Sequence, residues 1–305
     1  MNSKNNSASP ETNGSATAVD TEKEQITADN AALPDDEKPI ASKKSIVITV
    51  IASVLAFFAV AFLVLYFCGF RYVSYKTSDG ETVQFIGKVN GEGKPTAGWL
   101  RYLSGNTAWV NSETGEIEYS DGSTYSGDLV EMFRHGTGTL TTAKGDVYEG
   151  GFSNDKMSGQ GTYKYADGSV YKGEFKDGKR NGTGKFTSAG GAVYEGSYVD
   201  DKREGEGILH YSDGTVYEGG FKADLRDGKG TCTWADGNRY TGEFKEDKKC
   251  GYGTFAWANG NVYIGEFAED LPNGKGTFTD ASGRTYEGTF ENGKIVRSAE
   301  AEDAE

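Results

Sequence analysis

Residues 217–239 read YEGGFKADLRDGKGTCTWADGNR, and the same pattern begins again at Tyr240. Tyrosine returns every 23 residues without an insertion or a deletion, at Tyr125, Tyr148, Tyr171, Tyr194, Tyr217, Tyr240, Tyr263 and Tyr286. Glycine follows each tyrosine two residues later, at Gly127, Gly150, Gly173, Gly196, Gly219, Gly242, Gly265 and Gly288. A G-x-G pair comes next in the first seven units. A fixed period of this length indicates a repeat protein in which each unit is one supersecondary element.

Each unit reads as two β-strands. The first is Y-x-G-x-F, which strand alternation places on one face, and the second carries aromatic residues at alternate positions, as at Phe255 and Trp257. Dipeptides such as Asp236-Gly237 predict two-residue turns between units, because both central residues tolerate positive φ. Segments such as KADLRD at 222–227 are then predicted to be longer loops along the other edge, where they are candidates for partner specificity. The predicted fold is all-β, an elongated single-layer antiparallel sheet of β-hairpins.

The glycines have a predicted role on the face that carries the rings. Full side chains at every site would leave no room for flat rings to lie over the neighbouring strand. Glycine makes that room, and the rings cover its exposed backbone in return. The opposite face carries residues such as Glu174, Lys185 and Thr231 and is predicted to be solvated.

The repeat resembles the MORN (membrane occupation and recognition nexus) family, whose unit reads roughly YEGEW, a loop, G-x-G, alternating aromatics and DG. Tyr217 to Phe221, with Gly228, Gly230, Trp234 and Asp236-Gly237, matches this pattern almost position by position. The resemblance covers about residues 121–293, and it implies the same hairpin sheet. Upstream, Phe85-Ile86-Gly87 falls out of phase.

A second feature is an uncharged run from Ile46 through Phe58 to Phe70, which we take as the membrane anchor. Its 25 residues are long enough to cross a hydrocarbon core of about 30 Å as a helix. A cleaved signal peptide is the competing interpretation, but the run is too long and begins too far from the N-terminus. Three basic residues lie within about twenty residues of each end of the run, which leaves the orientation balanced. Lys43 and Lys44 directly before the run tip it towards a cytoplasmic N-terminus, which would put the repeats outside the cytoplasm.

Five segments follow from these patterns. We expect a disordered acidic and polar tail over 1–44, a transmembrane helix over 45–71, degenerate capping repeats over 72–124, a rod of repeats over 125–297 and an acidic disordered tail over 298–305.

The sequence argues against several kinds of chemistry. A net charge of −14 disfavours nucleic acid, which is bound through clustered Lys and Arg. His135 and His210 occupy different phases of the repeat, and we expect no catalytic site, no cofactor and no metal. Acidic and basic residues interleaved in the loops read as solvated mixed charge. Cys232 and Cys250 are predicted to stay unpaired, with Cys232 among the rings and Cys250 at the end of a loop.

The sequence is compatible with three functions: a scaffold for a protein partner, wall-glycan binding and lipid contact. A repeat sheet suits a membrane-anchored, single-pass scaffold that presents a long face to a protein partner. Wall-glycan binding outside the cell would use rings that neighbouring strands leave uncovered. Lipid contact through the repeats is disfavoured because no basic stripe is apparent in the sequence.

Overall fold

The computed structural model describes residues 43–77 and 80–298. For residues 297 and 298 it describes the backbone alone. One helix, α1 (Lys43–Phe67), is followed by a sheet of 21 strands. The predicted tails over 1–44 and 298–305 lie almost wholly outside the described residues. At their inner ends, Lys43 and Lys44 belong to the helix and Ser298 to the last strand.

Helix α1 ends earlier than the uncharged run predicted. The N–H of Cys68 donates to the Val64 carbonyl at 2.9 Å, and Gly69 then adopts a φ of +83°, a left-handed conformation that commonly ends helices. Phe70 therefore begins the first strand and is not part of the helix, which corrects the predicted boundary at 71. Hydropathy could not show this boundary because apolar residues continue across it. No side chain of α1 is buried, and the helix is long and apolar enough to cross a membrane.

The strands of the N-terminal part are β1 (Phe70–Lys76), β2 (Thr82–Val89), β3 (Pro95–Tyr102), β4 (Thr107–Asn111) and β5 (Glu116–Tyr119). Those of the repeats are β6 (Thr124–Val130), β7 (Phe133–Thr141), β8 (Val147–Ser153), β9 (Lys156–Lys164), β10 (Val170–Lys176), β11 (Lys179–Thr187), β12 (Val193–Val199), β13 (Lys202–His210), β14 (Val216–Lys222), β15 (Leu225–Thr233), β16 (Arg239–Lys245), β17 (Lys248–Ala256), β18 (Val262–Ala268), β19 (Leu271–Thr279), β20 (Thr285–Glu291) and β21 (Lys294–Ser298).

Each strand pairs antiparallel with the strands that precede and follow it in the chain, so the sheet is a continuous open meander. This confirms the predicted all-β fold, a single antiparallel layer of hairpins that follows one apolar helix in the chain.

The two edges of the sheet are the reverse of those predicted. Asp200 and Asp201, in a segment predicted to be a long loop, form a two-residue turn between β12 and β13 with φ of +47° and +71°. The charged residues next to this turn belong to the strands, as Lys202 does by pairing with Val199. Aspartate and asparagine accept this left-handed conformation more readily than other non-glycine residues.

On the other edge, the predicted two-residue Asp-Gly turns lie within longer connections. Five residues, 211–215, join β13 to β14, and the Gly214 N–H donates to the Tyr211 carbonyl at 3.1 Å. Asp213 fixes the turn because its carboxylate accepts the Thr215 N–H at 2.8 Å. The longer connections therefore lie on the Asp-Gly edge.

The strands before the repeats use the same packing with different residues. The ring of Phe85 covers Gly87 and Gly98, since a Cβ added to either glycine would meet that ring at 2.6 and 2.7 Å. Beyond this pair the core turns aliphatic, with Leu100 and Ile117 almost fully buried. The out-of-phase Phe85 and Gly87 thus start the array although they fall outside the 23-residue period.

Candidate functional site

A ring over two glycines is the basic structural element of the repeat. The hydroxyl oxygen of Tyr194 would lie 2.4 Å from a Cβ added to Gly196 on its own strand, and 2.5 Å from one on Gly207 of the next strand. The same hydroxyl donates to the Ser197 carbonyl at 3.1 Å, which fixes the ring flat. Tyr194 is 2% exposed as a result.

Neighbouring units are joined through their rings. Tyr194 packs edge-to-face against Tyr198 of its own strand at 5.3 Å between centroids, and against Phe221 of the next unit at 5.0 Å. The same alternation runs without a break from Tyr125 to Phe290. Such pairs add about 0.5–1.5 kcal/mol each beyond burial of their area. We call this array the ring ladder.

The ladder buries seven of the eight repeat tyrosines, Tyr125, Tyr148, Tyr171, Tyr194, Tyr217, Tyr240 and Tyr263. Tyr286 is 43% exposed. Its glycine, Gly288, pairs with Ser298 rather than with a glycine of a further unit. In the last unit, therefore, the tyrosine is left partly uncovered, although Phe290 of the same strand is buried.

The two glycines of each G-x-G pair have different roles. Gly205 adopts a φ of +73° at the bulge between β12 and β13, and a Cβ there would meet nothing closer than 3.7 Å. Gly207 has an ordinary backbone but lies under the Tyr194 ring. The first glycine is thus required because its backbone has a positive φ, and the second because a side chain there would collide with the ring.

A repeated Arg–Asp pair lies at the tight-turn edge. The Arg203 N–H donates to the Asp224 carboxylate at 2.9 Å, and a guanidinium nitrogen donates to the Asp224 carbonyl at 2.5 Å. In return the Asp224 N–H donates to the Arg203 carbonyl at 3.1 Å. The same contacts recur in three further pairs, Arg134 with Asp155, Arg180 with Asp201 and Arg226 with Asp247.

Sequence reasoning missed these pairs and interpreted their residues as solvated mixed charge. The signal is a spacing of 21 residues between the partners. The chain supports it internally: where methionine replaces arginine at Met157, glycine replaces aspartate at Gly178, and Pro272 is matched by Gly293. Each aspartate joins one hairpin turn to the hairpin before it.

The arginines also place positive charge on the ring-bearing face. The guanidinium carbon of Arg203 lies 5.5 Å from the Tyr194 ring centroid and 5.1 Å from that of Phe221. Arg180 and Arg226 hold equivalent positions in their units. Lys249 replaces arginine in a later unit, where its amine lies 4.8 Å from the Phe255 ring.

Beside the arginines runs a second row of rings, contributed by the second strand of each unit and the connection after it. Unlike the ladder, these side chains are only partly buried, and they are Tyr163, Tyr165, Phe186, Tyr211, Trp234, Phe255, Trp257 and Phe278. We call this row, with the arginines and Lys249 beside it, the ring groove.

The ring groove deepens into pockets between units. One pocket of 360 Å³ lies among Phe186, Tyr198, Tyr211, Arg180 and Arg203. A pocket of 300 Å³ at Tyr102, Tyr119 and Arg134 repeats the combination of aromatic and cationic walls at the N-terminal end.

Burial sets the charge state of the groove. It raises the pKa of Tyr165 and of Tyr211, so their phenols are neutral donors at physiological pH. Burial also lowers the pKa of Lys249, against the opposing effect of Asp270. The groove is therefore an aromatic surface lined by the basic residues Arg134, Arg180, Arg203, Arg226 and Lys249.

The remaining candidates for chemistry do not come together. Over residues 43–77 and 80–298, no three histidine, cysteine, aspartate or glutamate side chains are placed to hold a metal ion. Cys232 is fully buried on the ring-bearing face as predicted, whereas Cys250 lies within β17 and not at the end of a loop. Both are free thiols in the structure.

Two solved structures show weak likenesses to this chain. The TCP domain of Drosophila melanogaster SAS-4, in complex with a proline-rich motif of Ana2, is 15% identical and covers 57% of this chain and 88% of its own, with a TM-score of 0.34. The TCP10 domain of Danio rerio CPAP, in complex with a STIL peptide, is 11% identical and covers 75% and 99%, with a TM-score of 0.33. Likenesses at this level bear on neither the fold nor the partner.

Among curated proteins, no relative matches the sequence. The family comparison is decisive by contrast, because the MORN repeat matches eight consecutive segments, 125–147, 148–170, 171–193, 194–216, 217–239, 240–262, 263–283 and 286–296. These segments coincide with the hairpins that carry the ring ladder, and the chain therefore belongs to the MORN repeat family.

Proposed function

We propose that this chain is a membrane-anchored scaffold that holds an extended segment of a protein partner in its ring groove. The observation that carries the proposal is the row of partly buried rings, with a cation in each of the four consecutive units from Arg180 to Lys249. Rings and arginines are the residues that dominate protein interfaces. The proposed activity is binding, because each unit offers the same residues again and not one unique reacting group.

The repeat spacing favours an extended partner. Two strands per unit at about 4.8 Å give a repeat of about 9.6 Å along the sheet. A polyproline II chain rises about 3.1 Å per residue, so one turn of three residues advances about 9.3 Å and nearly matches one unit. A β-strand would not suit this spacing, because residues three apart point to opposite faces. Equivalent side chains of the partner would then meet equivalent pockets in successive units, and binding would increase with segment length.

The anchor in this proposal is helix α1. It carries no charged residue between Lys44 and its last residue, Phe67, and no side chain of the helix is buried. An apolar helix of this length is stable in a bilayer because its backbone polar groups are paired within the helix. Lys43 and Lys44 at its N-terminal end support a cytoplasmic N-terminus, with the repeats on the other side.

Site-specific photo-crosslinking tests the groove. The full-length chain, in the membrane of its own cells, would carry a photoreactive residue in place of Tyr211 in the groove, or in place of the exposed Glu218 on the opposite face. We expect crosslinks from position 211 to one protein, mapping to a single extended segment, and none from position 218. Crosslinks from position 218 alone would contradict the proposed binding face.

Wall-glycan binding is a second candidate, since Trp234 and Trp257 are only partly buried and tryptophan faces stack on sugars. The test is retention of the detergent-solubilised full chain on insoluble wall glycan. Loss of retention on replacing both tryptophans by alanine would favour this candidate. Equal passage of wild type and variant through the glycan would exclude it.

A further inference from the structure

Opposite the buried core, strands β1 to β4 carry a row of large apolar side chains that no other described residue covers. Tyr72 pairs with Ile86, Ile86 with Trp99, and Trp99 with Trp109, so the four residues are consecutive cross-strand neighbours on one face. They are 60%, 54%, 55% and 37% exposed in that order. The two tryptophan rings pack together at 5.3 Å between centroids. We call these four residues the outer aromatic row.

The row is confined to the N-terminal strands. In the repeats, the corresponding outward positions next to the tyrosines and the second glycines carry mainly Glu, Lys and Thr, as at Glu195, Lys185 and Thr231. Among those outward positions of the described repeats, Tyr252 is the single aromatic residue, and it pairs with Glu266 rather than with another ring. An exposed apolar row on a sheet face indicates an interaction surface rather than a packing requirement.

The charge around the row also differs from that of the whole molecule. Strands β1 to β4 contain no aspartate or glutamate, although the chain has a net charge of −14. Lys76, Lys88 and Arg101 are exposed on the same face as the row. The row is thus flanked by positive charge, and acidic residues return on this face only at Glu116 and Glu118 of β5.

The row begins immediately after the helix. Tyr72 follows Phe67 by five residues, a reach of at most about 17 Å in extended chain. The junction is fixed, because the Val89 N–H donates to the Gly69 carbonyl at 2.9 Å and the Arg71 guanidinium donates to the Tyr66 carbonyl at 2.7 Å. From Tyr72 to Trp109 is three strand spacings, about 14 Å.

From this combination we infer that the outer aromatic row lies against the headgroup layer of the membrane that helix α1 spans. Tryptophan and tyrosine are enriched at this depth because one end of each ring system is apolar and the other forms hydrogen bonds. Lys76, Lys88 and Arg101 would face the phosphate groups of the lipid headgroups, since long basic side chains are favoured at a membrane interface. The inference rests on the membrane anchoring proposed above, and it assigns lipid contact to the strands that precede the repeats.

Fluorescence quenching of the full-length chain in vesicles tests this contact. The vesicles contain phosphatidylcholine and phosphatidylserine, with acyl chains brominated close to the headgroups. The variant Trp234→Phe/Trp257→Phe keeps only Trp99 and Trp109, and its emission should be quenched by the brominated lipid and shifted to the blue. The matched variant Trp99→Phe/Trp109→Phe keeps only the groove tryptophans and should show neither effect.

Flotation of the same vesicles separates the possible failures. Unquenched Trp99 and Trp109 in chains that float with the vesicles would overturn the inference and leave the anchor intact. Crosslinking of two Trp99→Cys chains at that position, together with no quenching in the Trp234→Phe/Trp257→Phe variant, would also overturn it and would assign the row to a second copy. Failure to float would contradict the anchor itself.

Discussion

At the scale of single residues, the repeat depends on how close a ring lies to a glycine. A Cβ on Gly196 would lie 2.4 Å from the Tyr194 hydroxyl and 2.7 Å from the Gly207 Cα, and backbone cannot yield as a flexible side chain can. The pattern of coincident tyrosines and glycines predicted this packing correctly, because no other role explains glycine at the same phase in every unit.

Replacing Gly196 by Val should therefore destabilise the sheet by about 1–3 kcal/mol through overpacking. Glu195→Val is the matched control, since Glu195 is exposed on the opposite face and its loss should change the free energy of unfolding by less than about 0.5 kcal/mol. Denaturant unfolding of the two variants measures the difference. Equal destabilisation would mean that the two faces are assigned wrongly.

The two glycines of one G-x-G pair should respond differently to loss of the ring. Gly205→Ala should cost about 1–2 kcal/mol because of its positive φ, and this cost should be the same in a Tyr194→Leu background. Gly207→Ala should also be destabilising, but removal of the Tyr194 ring should relieve much of its cost. A double-mutant cycle for each glycine measures the coupling. Similar coupling at both positions would contradict the separate roles.

At the scale of the hairpin, Asp224 stabilises the turn in two ways, by accepting the Arg203 N–H and by tolerating a φ of +74°. The substitution Asp224→Ala removes both, whereas Asp224→Gly removes only the hydrogen bond. We expect the alanine variant to be less stable than the glycine variant by about 1 kcal/mol, as measured by thermal unfolding. Met157 with Gly178 shows that the chain itself accepts the glycine form. An alanine variant as stable as the glycine variant would rule out conformational strain.

The strands of each hairpin could be predicted from the sequence, but the turns and the contacts between hairpins could not. Pairing and face followed from alternation, since a one-residue slip would turn every ring to solvent. Which edge carries the tight turns could not be predicted, because aspartates such as Asp200 and Asp201 are common in loops and their left-handed conformation is visible only in the structure. The Arg–Asp pairs were missed for a related reason: partners 21 residues apart meet only once the hairpins are stacked. Partial exposure of the groove rings likewise depends on packing between units.

At the scale of the whole molecule, the buried tyrosines make the sheet sensitive to alkali. Burial raises the pKa of Tyr148, Tyr171 and Tyr194 from 10.0 to about 12. The unfolded chain can ionise these phenols above pH 10 while the folded sheet cannot. Their contribution to stability is therefore complete below pH 10 and is lost as the pH rises towards 12.

The measurement is the free energy of unfolding of the full chain in detergent as a function of pH. We expect a plateau below pH 10 and a steep fall above it. Tyr194→Phe should reduce the slope of that fall, by at most about 1.4 kcal/mol per pH unit, because one fewer proton is linked to unfolding. An unchanged slope would show that Tyr194 ionises within the folded sheet.

The proposed function depends first on helix α1 spanning a membrane, and extraction of the full-length chain from its own membranes tests this most directly. The wild type should stay in the membrane pellet through both high salt and alkaline carbonate. The double variant Leu55→Lys/Phe58→Lys, near the middle of the helix, should be released, since each charge costs about 2.5–3.5 kcal/mol at the bilayer centre. The control Phe58→Leu should behave as the wild type. Release of the intact wild-type chain by salt alone would contradict the proposal that helix α1 spans the membrane.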